Sequence, residues 1–284
     1  MENKKYISYG INDMEILIST MNRKSLDFLH IMFKNNDLSR YTVLIINQTR
    51  EDCLLTSDSK NIRIINTEET GLPQSRNMAI KNAKNKICLV ADDDVVYTTG
   101  FEQKIISAHE KFNDATVITF KMLNEDGENY QDYLDFSFQH THKSIVKVNG
   151  VVISFDLKRL KNQNISYNNY FGIGSTFECA NENVFMKNVL KARAKAYFVP
   201  KIILTHPNYS TGIFGEHDKV IKARSAFQYK YYGWLAYIWV FKYIRFLYVN
   251  DRISFNEIPP KTKLGFSGIA AYRKLLKSGL EKRN

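Results

Sequence analysis

The chain contains the apolar run Ile87-Cys88-Leu89-Val90-Ala91 followed directly by three acids, Asp92-Asp93-Asp94. This pattern predicts a buried strand whose carboxylates lie at the carboxyl edge of an α/β sheet, where such sheets bind ligands. Since side chains alternate along a strand, Asp92 and Asp94 are expected on one side and Asp93 on the other. A divalent cation such as Mg²⁺ or Mn²⁺, itself holding a substrate phosphate, would relieve the repulsion between the paired carboxylates. The three acids alone are equally compatible with an acidic surface turn.

A helix is predicted just upstream of this strand. Gly71 permits a turn, and Pro73 suits the first position of a helix. The helix runs to about Lys84, with Arg76 and Asn77 in its opening turn. An arginine there can add charge and forked donors to a phosphate or nucleotide site. Read alone, Arg76 is more typical of a surface ion pair, but its helix precedes the acidic strand, so both features can meet in one crevice.

Strand-like and helix-like segments alternate through the first half of the chain. The strand-like runs are residues 16–20, 42–47, 62–66 and 87–91, and the helical stretches lie near 23–35, 73–84 and 101–112. This alternation predicts an α/β fold with a largely parallel, doubly wound sheet. Further strands are predicted at 117–121, 145–155 and 198–205. The segment 207–215, with two glycines, predicts a loop that could act as a lid or as a plain surface connection.

Positive charge is concentrated at the C-terminal end. The 284 residues carry 40 Lys and Arg against 29 Asp and Glu, a net charge of +11. From Lys219 onward there are 14 Lys and Arg and 3 acids, so the last 66 residues hold the whole excess. The same segment contains both tryptophans, Trp234 and Trp239, within a dense aromatic run. We therefore predict a main body at 1–225 and a basic aromatic helical tail at 226–284, which contacts a membrane surface or, in a homo-oligomer, another subunit.

Several segments, taken in order, resemble the family 2 glycosyltransferases, which have the GT-A nucleotide-sugar fold. That family typically has two strands ending in polar residues, a Gly-x-x-x-x-Arg-Asn helix and a Leu-x-x-Asp-x-Asp strand. The segments similar to these are Glu15–Thr20, Tyr41–Thr49, Gly71–Asn77 and Leu89–Asp94. The later acceptor-side motif and histidine of the family resemble Phe171–Gly174, Asn181-Glu182-Asn183 and His206-Pro207. The resemblance covers roughly residues 13 to 225.

The resemblance implies a GT-A catalytic domain at 1–225: a Rossmann-like, mostly parallel sheet flanked by helices, with the helical tail appended. It implies a metal-dependent hexosyltransferase that uses a nucleotide sugar, with UDP-sugars the first expectation. By the same resemblance, Asp94 would ligate the metal directly and Asp92 would lie near the ribose and the metal. His206 would complete the metal site, and its imidazole favours Mn²⁺ somewhat over Mg²⁺.

The resemblance also implies donor and acceptor residues. Glu182 would be the base that deprotonates the acceptor hydroxyl in an inverting reaction, with Glu178 as the next candidate. Asn181 stands where the family often has an acid, so only Glu182 is left for this role at the motif. The residues expected to bind the donor nucleotide are Ser19, Thr20, Asn47, Arg76 and Asp92. Asn47 stands where the family commonly has an Asp that contacts the nucleobase. Because an amide can both donate and accept hydrogen bonds, the identity of the nucleobase is left open.

The sequence has no charged-then-apolar leader and no uncharged apolar run of about 18 residues, so neither a signal peptide nor a spanning helix is predicted. The widely spaced Cys53, Cys88 and Cys179 are typical of free thiols in a reducing cytosol. We expect a cytoplasmic protein whose tail attaches it to the anionic inner face of the cell membrane. The expected role is surface polysaccharide synthesis, such as that of a capsule, on a glycan or lipid-linked acceptor.

Two other classes of protein fit part of the pattern. A nucleic-acid-binding protein would explain the basic aromatic tail, but the body is neutral and no contiguous recognition motif is present, so nucleic acid is not an expected partner. A nucleotide-sugar pyrophosphorylase also uses an α/β nucleotide fold with metal-binding acids. Its Gly-rich N-terminal signature is absent, since the first strand ends in Ser19-Thr20-Met21-Asn22. His140 and His142 could share a strand face, and without further ligands nearby they are read as a surface or acceptor-groove pair.

Overall fold

The computed structural model describes residues 8–207 and 215–282 of the chain. The loop predicted at 207–215 therefore lies, apart from its two ends, outside the described residues. The strands of the described part are β1 (Met14–Met21), β2 (Thr42–Gln48), β3 (Ile62–Thr67), β4 (Ile87–Asp92), β5 (Val96–Tyr97), β6 (Val117–Leu123), β7 (Phe138–Gln139), β8 (Ile153–Asp156) and β9 (Ala196–Thr205). The α-helices are α1 (Asp27–Met32), α2 (Leu72–Asn82), α3 (Phe101–Lys111), α4 (Leu157–Asn162), α5 (Asn181–Lys191), α6 (Asp218–Tyr232), α7 (Leu235–Val249) and α8 (Ile258–Lys277).

Across the described residues, nine strands form one sheet in the order β3-β2-β1-β4-β8-β6-β9-β5, with β7 paired to β9. The pairs β3/β2, β2/β1, β1/β4 and β6/β9 are parallel. Strand β8 lies antiparallel between β4 and β6, and the short β5 and β7 are antiparallel to β9. This mostly parallel sheet, with flanking helices and further helices at the C-terminal end, confirms the predicted fold class.

The central strand β1 is buried on both faces of the sheet. Met14, Ile16 and Ile18 belong to the apolar core on one face. Leu17 belongs to the core on the other face, together with Leu44 of β2. Because successive side chains of a strand point to opposite faces, one strand supplies both cores. A near-continuous apolar run of this kind is typical of strands inside a parallel sheet.

One charged residue lies within this apolar strand. Glu15 is fully buried and forms an ion pair with Arg63 of β3. Its carboxylate also accepts hydrogen bonds from the backbone N–H groups of Lys84 and Asn85, at 2.7 and 3.2 Å. A buried carboxylate is tolerated only with such partners, so Glu15 ties β3 and the segment after α2 to the central strand.

Two predictions for local structure need correction. The strand predicted at 145–155 is wrong, because 3₁₀ turns occupy Ser144–Lys147 and Gly150–Val152 and only Ile153–Asp156 is extended. The turn residues Ile145, Val151 and Val152 are nevertheless buried. A short buried run reads as a strand from sequence whatever its backbone conformation. The helix predicted at 23–35 is only Asp27–Met32, because an exposed loop occupies the residues before it.

The chain forms two compact units. The first comprises Met1–Tyr167 and Phe185–Asn208, and it contains the sheet. The second comprises Asn168–Val184 and Tyr209–Asn284, and it contains α6, α7 and α8. The boundary predicted at 225/226 falls inside α6, and the division into a catalytic domain and a tail stays a prediction.

Helices α6, α7 and α8 pack on one another within the second unit. Their shared apolar core includes Ile221, Val240, Ile244 and Ile269. Gly268 of α8 lies so close to a backbone carbonyl of α6 that a Cβ at this position would have no room. Neither these helices nor any other helix in the described ranges is long and apolar enough to cross a membrane.

Two histidines are buried in the first unit. His109 Nε2 lies 2.9 Å from the Ser154 hydroxyl, and burial lowers the pKa of His109 to about 3. His140 Nε2 lies 2.8 Å from the Thr119 hydroxyl, and burial lowers its pKa to about 4. His140 is buried whereas His142 is exposed, so these two do not form a surface pair.

The free energy of unfolding should therefore fall as pH drops from about 6.5 to 4. Over this range a histidine takes up a proton in the unfolded chain but not in the folded one, so acid favours unfolding. Each such residue contributes a slope of up to about 1.4 kcal/mol per pH unit. Urea denaturation at several pH values should show a shallower slope for His109→Gln than for the wild type. An unchanged slope would mean that His109 accepts its proton in the folded state.

Candidate active site

The parallel pairing of β1 with β2 and β4 brings three strand ends to the same edge of the sheet. In this register Ser19 lies beside Asp92 of β4, and Thr20 lies beside Asn47 of β2. The carboxyl edge of a parallel sheet is where α/β proteins bind ligands. Four residues predicted to bind the donor thus occupy neighbouring positions at this edge.

The three consecutive acids do not continue the strand as expected. Strand β4 ends at Asp92, and Asp93 and Asp94 lie in the turn that follows. The alternation of side chains holds only in extended backbone, so it does not set the direction of Asp94 relative to Asp92. Each of the three carboxylates instead has a different partner.

Arg76 of α2 holds the first of these acids. Its Nη2 donates to both carboxylate oxygens of Asp92, at 3.1 and 3.3 Å, and its side chain is only 2% exposed. The guanidinium also lies over the ring of Tyr167, 5.4 Å from the centroid. One residue earlier, the Ser75 hydroxyl donates to Ser19 Oγ at 2.7 Å. Helix α2 is therefore fixed to the ends of β1 and β4, where the structure brings Ser19, Arg76 and Asp92 together.

The second acid closes the loop that follows β1. Asp93 accepts a hydrogen bond from the Thr20 hydroxyl at 2.5 Å and forms an ion pair with Arg23 Nε at 2.6 Å. Arg23 was not identified from the sequence, although its place two residues after a strand end was a usable signal. Thr20, predicted to bind the donor, thus has its hydroxyl directed at Asp93.

Asn47 has a different environment from the one expected for a residue that contacts the nucleobase. Its side chain is fully buried. Its Oδ1 accepts from the backbone N–H of Arg23 at 3.1 Å, and its Nδ2 donates to the Arg23 carbonyl and to Asn66 Oδ1 at 3.1 and 2.9 Å. Both amide donors are therefore used inside the protein, and the side chain positions the Arg23 segment.

A cavity of about 630 Å³ opens beside these strand ends in the first unit. Its volume is in the range of small-molecule sites. None of its lining residues was predicted from the sequence as a site residue, although they follow closely on predicted strands. The lining residues are Met21, Asn22, Gln48, Thr49, Arg50, Glu51, Asp52, Glu68 and Thr70.

Asp94 is the most exposed of the three acids, with 48% of its side chain open to solvent. Its Oδ1 lies 3.9 Å from His206 Nε2 at the end of β9. Burial raises the pKa of Asp94, His206 lowers it, and Asp92 and Asp93 raise it further. His206 Nδ1 lies 2.7 Å from the Pro207 carbonyl oxygen. Since a carbonyl oxygen only accepts, this contact places a ring proton on Nδ1, and Nε2 is the nitrogen that faces Asp94.

This pair of side chains fits a divalent metal. An imidazole whose other nitrogen donates to a backbone carbonyl is the usual form of a metal-ligating histidine, and a carboxylate suits Mn²⁺ or Mg²⁺. In the part of the chain that the structure describes, no group of three or more His, Cys, Asp or Glu could hold a metal by itself. Asp94 and His206 would thus supply two ligands and leave other positions to water and substrate oxygens. The part predicted for Asp92 in the metal site stays a prediction, since its carboxylate contacts Arg76.

The predicted base lies in the second unit. Glu182 is half-buried in the first turn of α5, next to the buried Asn181. Ala180, just before the helix, has φ 68°, a left-handed conformation that is uncommon for alanine. The alternative base Glu178 forms an ion pair with Lys219 at 2.8 Å.

The Arg76–Asp92 contact should be an energetically coupled pair. Arg76→Met leaves a partly buried carboxylate without its counterion and should lower the free energy of unfolding by about 2 kcal/mol. Asp92→Asn in the same background should restore part of that loss, giving a coupling energy of about 1–2 kcal/mol in a double-mutant cycle. The matched control is Lys195–Asp114, an exposed pair whose coupling should be smaller. Strictly additive losses at Arg76 and Asp92 in urea denaturation would contradict the coupling.

The chain matches the model of glycosyl transferase family 2 over residues 15–191. No curated protein matches it. Among solved structures it resembles S. aureus TarS 1-349, with a TM-score of 0.52 at 12% identity, covering 94% of this chain and 91% of that one. The UDP-GlcNAc complex of the same TarS fragment gives a TM-score of 0.54 at 11% identity, covering 94% and 92%.

The UDP complex of that fragment gives a TM-score of 0.51 at 12% identity, covering 94% of this chain and 91% of that one. At such low identity these likenesses show the fold, and they agree with the mostly parallel sheet described above.

The family match includes every strand end of the candidate site except that of His206. Since it also covers more than half of the chain, the protein belongs to glycosyl transferase family 2.

Proposed function

We propose that this protein transfers a hexose from a UDP-sugar to a glycan or lipid-linked acceptor, with inversion at the anomeric carbon. The proposed role is the synthesis of a surface polysaccharide such as a capsule. One observation carries the proposal: Asp94 Oδ1 lies 3.9 Å from His206 Nε2, at the strand edge where Arg76 forms an ion pair with Asp92. The TarS complexes with UDP and UDP-GlcNAc support the choice of a UDP-linked donor.

The donor nucleotide is assigned to the carboxyl edge of β1, β2 and β4. The nucleobase would occupy the cavity beside the ends of β1 and β2, where Asn22 and Thr49 are among the lining residues. Ser19 and Thr20 would contact parts of the donor other than its nucleobase. Asp92, oriented by Arg76, would accept hydrogen bonds from ribose hydroxyls. Asn47 acts in this proposal by holding the Arg23 segment in place.

Asp94 and His206 are proposed to hold a Mn²⁺ or Mg²⁺ ion. Such an ion, when bound, acts as a Lewis acid that stabilises the negative charge of a departing diphosphate. Neighbouring residues prepare this pair to bind the ion. The Pro207 carbonyl fixes the tautomer of His206, and Arg76 neutralises the nearby Asp92. Arg23 does the same for Asp93. Of the three acids, Asp94 is thus the one proposed to bind the cation.

Glu182 is proposed to serve as the general base. The acceptor hydroxyl gives its proton to the Glu182 carboxylate while its oxygen bonds to the anomeric carbon of the sugar. The bond from that carbon to the diphosphate oxygen breaks, and UDP leaves with the electron pair. Attack from the face opposite the diphosphate gives inversion. Assistance by a positioned base is worth about 10²–10⁴ in rate.

We propose that the enzyme acts at the cytoplasmic face of the cell membrane, where lipid-linked acceptors lie. In this proposal residues 1–225 carry out the transfer and residues 226–284 attach the enzyme to the membrane.

Metal dependence is tested first by binding of UDP. Asp94→Ala should reduce Mn²⁺-dependent UDP affinity by about tenfold or more and abolish transfer, and His206→Ala should weaken the same affinity. Asp93→Ala is the matched control, because its carboxylate is engaged by Thr20 and Arg23, and it should keep most of the affinity. Calorimetry with Mn²⁺ and with EDTA measures the difference. Equal losses for Asp93→Ala and Asp94→Ala would rule out Asp94 as the specific ligand.

The base is tested by kinetics of UDP release from UDP-sugar and acceptor. Glu182→Gln keeps the size of the side chain but cannot take a proton at neutral pH, so kcat should fall by about 10²–10⁴ with donor affinity nearly unchanged. Glu178→Gln, which alters the acid paired with Lys219, should leave kcat close to the wild-type value. The opposite pattern in these two variants would make Glu178 the base.

A further inference from the structure

Helix α7 has one face buried in the second unit and one face open to solvent. The buried face supplies Ala236, Val240, Tyr243, Ile244 and Leu247 to the core that α7 shares with α6 and α8. These residues follow the spacing of one helical stripe. The packing of α7 within its unit is thus complete on this side, and the opposite side needs a separate explanation.

The open face is unusually rich in large apolar side chains. Trp234, which caps the helix, is 68% exposed, Phe241 59%, Phe246 57% and Val249 64%. At 100° per residue the exposed large apolar side chains fall within an arc of about 160°. We call this surface the α7 face; its apolar members are Trp234, Leu235, Ile238, Phe241, Phe246, Tyr248 and Val249.

The charges on the α7 face have one sign. Lys242 and Arg245 lie inside the same arc and are exposed. Helix α7 contains no Asp or Glu. Just beyond its end, the exposed Asp251 is adjacent to the exposed Arg252, so this pair adds no net negative charge. The α7 face is therefore apolar, aromatic and basic.

In an inference that rests on the membrane attachment proposed above, we infer that the α7 face is a docking surface for anionic membrane lipid, lying in the headgroup region of the bilayer without crossing it. A helix with one apolar aromatic face and basic residues inserts in this way, and Trp and Tyr favour the headgroup level. At about 22 Å long, α7 is shorter than a bilayer core of about 30 Å. Lys242 and Arg245 would meet the lipid phosphates, each worth about 1 kcal/mol near an anionic surface.

A second copy of the chain fits this surface less well. In a symmetric dimer the patch meets its own copy, so Lys242 and Arg245 would be buried against a helix face that carries only positive charge. With no acid on α7 to pair with them, burying these charges would be costly. An anionic lipid surface supplies the missing negative charge, and this decides between the two partners.

The test is co-sedimentation of the full chain with vesicles at low salt, in the absence of donor, so that its outcome does not depend on the proposed reaction. The wild type should bind vesicles that contain phosphatidylserine and bind pure phosphatidylcholine vesicles much more weakly. Lys242→Gln with Arg245→Gln should lower partitioning by about 30-fold. Ile238→Ser with Phe241→Ser should abolish binding, because it removes apolar area that enters the bilayer. Thermal melts establish that each variant is folded.

The matched control is Ile31→Ser, since Ile31 is 62% exposed on α1 in the first unit and should not contribute to binding. Equal binding of the wild type to both kinds of vesicle would overturn the assignment to anionic lipid. Absence of vesicle binding, together with a dimer that Phe241→Ser dissociates in sedimentation velocity, would make the α7 face an interface between copies. Loss of binding in Ile31→Ser to the same extent would also overturn the inference.

Discussion

Strand β1 has a parallel neighbour on each side, and its register with both determines which residues can meet at the candidate site. Ser19 lies beside Asp92 and Thr20 beside Asn47 only in this register. A slip by one residue would turn every side chain of β1 to the opposite face of the sheet. The buried Glu15 opposes such a slip, because its carboxylate would lose Arg63 and the two backbone N–H groups that it accepts from. An ion pair at one end of the strand thus helps to fix the geometry at the other.

The same edge of the sheet divides three adjacent negative charges among three partners. Arg76 contacts Asp92 and Arg23 contacts Asp93, each within an ion-pair distance. In the described part of the chain Asp94 pairs with a histidine rather than an arginine, and burial and the two other acids raise the pKa of Asp94. A carboxylate in this situation gains most from a bound cation. Because the two arginines pair with Asp92 and Asp93, Asp94 is the acid that we propose for the metal site, a distinction that three consecutive aspartates do not make by themselves.

Much of this site was predictable because it depends on short segments with strong patterns. The apolar runs gave β1, β2, β3 and β4, and Gly71 with Pro73 gave the start of α2. The turn after Asp92 was not predictable, since an apolar run does not reveal where extended backbone stops. The partners of Asn47 were also missed, because they come from the backbone of Arg23 and from Asn66, segments that meet it only in the folded sheet.

The C-terminal helices pack against the segment that precedes the proposed base. In the second unit, Tyr272 of α8 is fully buried against Phe171 and Phe177, with ring centroids 6.0 and 6.1 Å apart. These phenylalanines belong to the segment that leads to Glu182. Cutting the chain near residue 225 would remove α7, α8 and half of α6, and would expose this aromatic cluster. The helices that present the α7 face thus also support the segment of the proposed base, so the two roles can be separated only by point substitutions in the whole chain.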